Sequence, residues 1–164
     1  MNISQMAMAL KLSYIKDNFE LIIEEAKHTK MDYEVFLETL LKNELSRRAE
    51  NGIARRIRYA KFPIKKYLED FDRTKYGDEF KAKFEELETL RFIGNKENII
   101  MIGTPGAGKT HYAIGIGIKA CLKGKSVLFV SVPNLIIELK EAMSQNQLNV
   151  YNSSNGRIIE KSRM

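Results

Sequence analysis

The chain has 164 residues, 44% of them apolar and 29% charged, with 27 basic against 21 acidic side chains and a formal net charge of +6. That excludes disordered and fibrous classes and allows one full domain, or one small domain plus part of another; the charge hints at polyanion partners without choosing among them. One cysteine and two histidines leave no intrachain disulfide or Cys/His zinc site, no apolar run nears the ~20 residues of a membrane span, and Met1 to Leu10 lacks a secretory signal's basic start, so a cytoplasmic location is expected.

In chain order, a short helix is expected around Ser4 to Leu12. Ile15, Phe19, Ile22, Ile23 and Ala26 then fall on one face of a second helix. Asp32 reads as the N-cap of a third, with Phe36, Leu37, Leu40, Leu41 and Leu45 on its buried side. Asn51-Gly52 is expected to break or bend that helix, and Phe62-Pro63 to stop the apolar rhythm carried on by Ile53, Ile57 and Ala60. Leu68 to Asp72 (LEDFD) reads as an extended linker. Phe80, Phe84, Leu87 and Leu90 mark another amphipathic helix ahead of Gly94-Asn95.

After that point the pattern changes. Asn98 to Ile102 (NIIMI) is a short apolar run of the kind expected for a strand covered on both faces. A glycine-rich turn and a helix to Leu122 follow, with Gly124 closing the helix. Ser126 to Val130 (SVLFV) reads as a second buried strand, and Ser131 as the cap of a further helix with Pro133 in its first turn and Leu135, Ile136, Leu139 and Met143 inward. The order strand, loop, helix, strand, helix predicts the start of an α/β domain with a parallel sheet.

Gly103-Thr104-Pro105-Gly106-Ala107-Gly108-Lys109-Thr110 satisfies G-x-x-x-x-G-K-[ST] at every fixed position. Glycines let the backbone curl so that successive N–H groups face one anion, and the following helix adds its positive end. Lys109 is then expected to reach the outer phosphates as a point charge and the Thr110 hydroxyl to hold Mg²⁺. Nucleotide binding is the expectation.

Asp32-Tyr33-Glu34-x-Phe36-Leu37, the basic helix after it, Ala60-Lys61-Phe62-Pro63, Leu68-Glu69-Asp70-Phe71-Asp72 and GTPGAGKTHYAIGIG together resemble IstB-like ATP-binding proteins. These are AAA+ helpers of bacterial insertion-sequence transposases, similar in turn to DnaC-type helicase loaders. The resemblance runs from Met1 to about Tyr151. It implies a helical N-terminal module, 1–67, followed by a linker and amphipathic helix, 68–94. A partial AAA+ domain of the P-loop NTPase class would then cover 95–151, leaving a polar tail, 152–164, outside the family pattern. It also implies ATP and Mg²⁺ as cofactors, assembly as a homo-oligomer on double-stranded DNA, and recruitment of a transposase or, in the loader reading, of a replicative helicase. His111 stands where many family members carry histidine, a packing position near the nucleotide.

The chain also departs from that pattern. ATP turnover requires a carboxylate pair to hold Mg²⁺ and align water, yet no aspartate follows Asp78, and the acids after the loop are Glu138, Glu141 and Glu160. The expectation is an α/β chain whose sheet is incomplete through truncation, binding nucleotide weakly without hydrolysing it. An interaction module built on residues 1–66 is the alternative of another class.

The charge is concentrated. Lys42 to Lys66 holds nine basic residues against Glu44 and Glu50, so Arg47, Arg48, Arg55, Arg56 and Arg58 are candidates for nucleic-acid phosphates, with a solvated face as the alternative. Tyr59 and Phe62 read as packing rather than base-stacking residues, Cys121 as a buried small apolar residue, and His28 as surface.

Overall fold

The computed structural model describes residues 2–145, which leaves the polar tail, with Arg157, Glu160 and Arg163, outside the described residues. Its helices are α1 (Ile3–Ala9), α2 (Ser13–Thr29), α3 (Tyr33–Tyr59), α4 (Asp78–Glu88), α5 (Arg91–Gly94), α6 (Lys109–Leu122) and α7 (Val132–Ser144). The chain divides within α3, between Ala54 and Arg55, into two compact units.

In the first unit α1 begins with a capping box, in which Asn2 and Gln5 exchange side-chain-to-backbone hydrogen bonds at 2.9 and 3.0 Å. On α2, Ile22 is buried and Ile15, Phe19, Ile23 and Ala26 are half-buried, the face expected from their spacing. Asp32 caps α3 as expected, its carboxylate accepting the Glu34 amide at 2.8 Å. Two expectations for α3 fail. The helix runs unbroken through Asn51-Gly52, since one interior glycine costs only about 1 kcal/mol. Leu37, Leu41 and Leu45 are more than half exposed, because a helical spacing of apolar residues makes a stripe whether or not a neighbour covers it.

Glu44 is the surprise of this unit. It is 3% exposed, and its carboxylate accepts the amides of Ser13, Tyr14 and Ile15 at 3.2, 2.8 and 3.3 Å. The residue at the N-cap position of α2, Leu12, has no side-chain acceptor to offer. A carboxylate from α3 therefore does what a local Ser or Asp usually does, and brings a negative charge to the positive end of α2. Arg48 pairs with it at 3.2 Å and also donates to the Lys11 carbonyl at 3.2 Å.

The second unit is organised around α6. Tyr112, Ile114, Ile116, Ile118, Ala120 and Cys121 are all buried on it, as befits a helix that is apolar on every side. Two glycines let neighbours approach closely. A Cβ on Gly115 would lie 2.7 Å from Leu68 Cδ2, and one on Gly117 would lie 2.8 Å from Phe62 Cζ. The stretch expected as a linker, 68–72, has irregular backbone but buries Leu68 and Phe71 against this core. The helix expected from Phe80, Phe84, Leu87 and Leu90 closes sooner: α4 ends at Glu88, and Leu90 adopts φ +62° ahead of the short α5.

The parallel sheet is not there. Among the described residues no strand pairing occurs, and the unit is helical with extended connections, which overturns the α/β assignment. The segment expected as the first buried strand leaves Ile100 81% and Ile102 93% exposed. The segment expected as the second does bury Val127 and Val130. Its backbone, however, is tied among the described residues by a single bond, from the Phe129 amide to the Ala60 carbonyl at 2.8 Å. Apolar continuity makes a run suitable for a sheet interior, but a ladder forms only when another extended segment lies alongside. The same shortage affects α7. Ser131 caps it as expected, yet Ile136 and Met143, expected inward, are 47% and 62% exposed, and none of its residues is buried.

Candidate functional site: a glycine loop on an aromatic shelf

The glycine-rich loop of residues 103–108 leads into α6, and its form is set by two residues in the left-handed region, Gly106 at φ +79° and Gly108 at φ +77°. Gly108 is also the N-cap of α6. A side chain there would be strained by the backbone and would collide with Phe71 Cε2 at 2.8 Å. Its carbonyl accepts the Tyr112 amide at 2.9 Å, and the loop is closed from within by the Ala107 amide on the Thr104 carbonyl at 3.2 Å. Among the described residues the amides of Lys109, Thr110 and His111 donate to no protein acceptor, as the first turn of a helix requires. Three donors and the positive end of a 14-residue helix thus meet at the loop.

The Lys109 ammonium donates to the Gly103 and Thr104 carbonyls at 2.8 and 2.9 Å. It lies across the loop it belongs to. Thr110 is exposed. Among the described residues no group of three or more His, Cys, Asp or Glu could hold a metal ion, so a magnesium ion at Thr110 would rely on phosphate and water for its other ligands. His111 turns away from the loop, with Nε2 2.9 Å from the Tyr67 carbonyl oxygen and its ring edge-on to Phe71 at 5.4 Å.

Beneath the loop lies a shelf of aromatic rings. Phe71 is at its centre, 5.6 Å from Tyr76, 5.5 Å from Phe84 and 5.1 Å from Tyr112. The Tyr76 hydroxyl donates to the Ala107 carbonyl inside the loop, and the buried Tyr112 hydroxyl donates to the Phe84 carbonyl at 3.0 Å. Burial, reinforced by the Glu88 carboxylate and opposed by Arg73, pushes the Tyr112 phenol far above its ordinary range. The shelf is held to α6 by Glu88, which pairs with Arg73 at 2.8 Å and with Lys119 at 3.2 Å. At the start of the shelf, hydrogen bonds from the Thr74 hydroxyl and amide, and from Lys75, hold the exposed Asp72 carboxyl below its ordinary value. Reading by motif missed the shelf. The sole signal was the aromatic density of Tyr67, Phe71, Tyr76, Phe80 and Phe84, a stretch taken as linker and helix.

The candidate arginines are not equivalent. Arg48 is engaged with Glu44 and the Lys11 carbonyl, and Arg56 donates to the Cys121 carbonyl at 2.9 Å. Arg58 lies over the Tyr59 ring at 5.3 Å with its charge exposed. Arg55 is exposed and Arg47 half-buried, and neither has an acidic partner among the described residues. Cys121 is fully buried, which pushes its thiol up against the opposing influence of Arg56. No helix among the described residues is long and apolar enough to cross a membrane.

A family model described as IstB-like ATP binding protein matches residues 5–158. Among curated proteins the chain is 36% identical, over 139 residues, to a protein of insertion sequence IS21 from Pseudomonas aeruginosa; the match covers 85% of this chain and 52% of that one. It is 33% identical over 139 residues to a protein of insertion sequence IS5376 from Geobacillus stearothermophilus, covering 85% and 55%. A third relative, of insertion sequence IS232 from Bacillus thuringiensis, is 35% identical over 116 residues, covering 69% and 46%. All three are provisionally named ATP-binding proteins. The chain spans about half the length of these curated relatives.

Proposed function

Because the chain belongs to the IstB-like ATP binding protein family, we propose that it binds ATP at the loop of residues 103–110 in the service of DNA transposition. The observation that carries this reading is the unpaired first turn of α6. Its amides at Lys109, Thr110 and His111 have no protein acceptor among the described residues, and the Lys109 ammonium stands beside them. An anion satisfies both at once: the amides gain acceptors, and Lys109 exchanges two neutral carbonyls for phosphate oxygens. In this reading Gly103 to Gly108 form the cradle, and Thr110 supplies its hydroxyl to Mg²⁺. His111, held by the Tyr67 carbonyl and Phe71, serves as packing rather than as a ligand.

The finer parts of the proposal follow from the sequence and the relatives. The relatives are insertion-sequence proteins, which favours a transposase over a replicative helicase as partner. Duplex DNA is the polyanion proposed for the exposed arginines, with self-assembly on it. For the polypeptide of residues 1–164 taken by itself we propose binding without turnover, because the carboxylate that hydrolysis needs opposite Thr110 is not among its aspartates, the last of which is Asp78. The module proposed for the partner protein is the helical N-terminal unit, whose compact part ends at Ala54, ahead of the nucleotide loop.

Titration calorimetry with ATP and Mg²⁺ tests the reading. The parent chain binds, and Lys109→Ala weakens binding at least tenfold by removing a charge-assisted contact. Equal affinity in the two proteins refutes the loop as the site. Phosphate release by the parent chain clearly above that of Lys109→Ala, with or without duplex DNA, refutes the absence of turnover.

A further inference from the structure

We propose that Tyr76 is a positioning residue whose hydroxyl aims the Gly108 amide into the phosphate cradle. The inference rests on the loop being the ATP-phosphate site and adds to it a residue that no motif contains. Its basis is the geometry of one peptide unit. The Tyr76 hydroxyl donates to the Ala107 carbonyl. No described peptide bond is cis, and in a trans peptide the carbonyl of one residue and the amide of the next point in opposite directions across one rigid plane. Holding the Ala107 oxygen toward the shelf therefore holds the Gly108 N–H toward the opposite side, next in sequence to the free amides of Lys109 and Thr110.

The loop needs such a device. Gly106 and Gly108 both sit at positive φ, and glycine rotates between conformations at little steric cost, so the two peptide planes between them are the easiest in the loop to turn over. The Ala107 amide is already committed to the Thr104 carbonyl, which leaves the carbonyl side to be fixed. Tyr76 is well placed to fix it because its own position is over-determined. Its ring stacks on Phe71 with 29° between planes and meets Phe84 edge-on at 5.1 Å. Its amide donates to the Arg73 carbonyl at 3.2 Å, and Arg73 is in turn paired with Glu88 at 2.8 Å. Phe71 also occupies the space a Gly108 side chain would need, so the loop rests on the same ring that holds Tyr76.

The test compares Tyr76→Phe, which keeps the ring and removes the donor, with Val127→Ala, which loosens the same core beside Gly117 without touching Tyr76 or the loop. Affinity for ADP with Mg²⁺ is measured by calorimetry, stability by thermal unfolding, and the Gly108 amide by its proton–nitrogen resonance in the ligand-free protein. Tyr76→Phe is expected to bind ADP about five- to tenfold more weakly, the size of one hydrogen bond, and to shift the Gly108 resonance. Val127→Ala is expected to lower the melting temperature more, while binding ADP within about twofold of the parent. Equal losses of affinity in both variants, or an unmoved Gly108 resonance in Tyr76→Phe, overturn the proposal. Lys109→Ala in parallel separates the two readings. If it binds ADP like the parent, the loop is not the site. If it fails to bind while Tyr76→Phe binds like the parent, the site stands and Tyr76 does not position it.

Discussion

Replacing Glu44 with alanine should destabilise the first unit by about 3 kcal/mol. Three contributions are lost together. Removing the acceptor that caps α2 costs about 1 kcal/mol. Withdrawing a negative charge from that helix's positive end costs up to ~2 kcal/mol where the charge is buried, and Glu44 is 3% exposed. The pair with Arg48 adds less than ~1 kcal/mol, because the Arg48 side chain is 53% exposed and water replaces its partner. A unit ending at Ala54 has a total stability of roughly 3–8 kcal/mol on the usual scale per residue, so the change removes a large share of it. Glu44→Gln keeps an acceptor and loses the charge, at a cost of about 1–2 kcal/mol. Urea unfolding followed by helical circular dichroism measures both. Hydrogen exchange localises the effect: the amides of Ser13, Tyr14 and Ile15 should exchange much faster in Glu44→Ala, while amides within α6 keep the parent rate. An unfolding free energy within ~0.5 kcal/mol of the parent, or unchanged exchange at those three amides, refutes the assignment of Glu44 as a cap supplied from another helix.

Three further outcomes follow from the packing and charge. Gly115→Ala should lower the melting temperature by about 5–15 °C, since its Cβ would meet Leu68 Cδ2 at 2.7 Å and the Leu68 backbone nitrogen at 3.3 Å. Gly94→Ala, with nothing within 4 Å of the new Cβ, should leave it unchanged or raise it slightly; similar losses in both would show that crowding at Leu68 is not the cause. Burial pushes the Cys121 thiol up, so raising the pH to the ordinary thiol range yields little thiolate in the folded protein. Modification by a disulfide reagent at pH 8 should therefore be roughly 100-fold slower than in denaturant, and a comparable rate would mean that the core around α6 is open. If duplex DNA binds, Arg55→Ala with Arg58→Ala should reduce the log–log salt slope by about 2, whereas Arg56→Ala should act mainly on stability through the bond lost to Cys121; an unchanged slope in the double variant removes both from the interface.

Much of the local structure was legible because its causes are local. The 3.6-residue spacing from Ile15 to Ala26, the caps at Asp32 and Ser131, and the glycine pattern from Gly103 to Gly108 each depend on residues within a few positions of one another. The family followed from the same stretches, since their order along the chain is itself sequence information. Pairing is another matter. NIIMI and SVLFV have the composition of sheet interior, but whether a ladder forms depends on what lies beside each run, and composition carries no statement about neighbours. For the same reason Leu37, Leu41 and Leu45 match a buried stripe and are nonetheless exposed. Glu44 was counted among the charges of a basic helix; only the approach of Ser13, some thirty residues earlier in the chain, makes it a cap. The shelf under the loop arises likewise, from segments 68–77 and 78–88 folding back onto α6. The sequence by itself thus determined most of the helices, the caps at Asp32 and Ser131, the glycine pattern of the loop and the family, all set by short-range spacing. Tertiary structure alone decided which apolar faces are covered, which arginines are engaged and what holds the Ala107 peptide, because each depends on contacts between residues far apart in the chain.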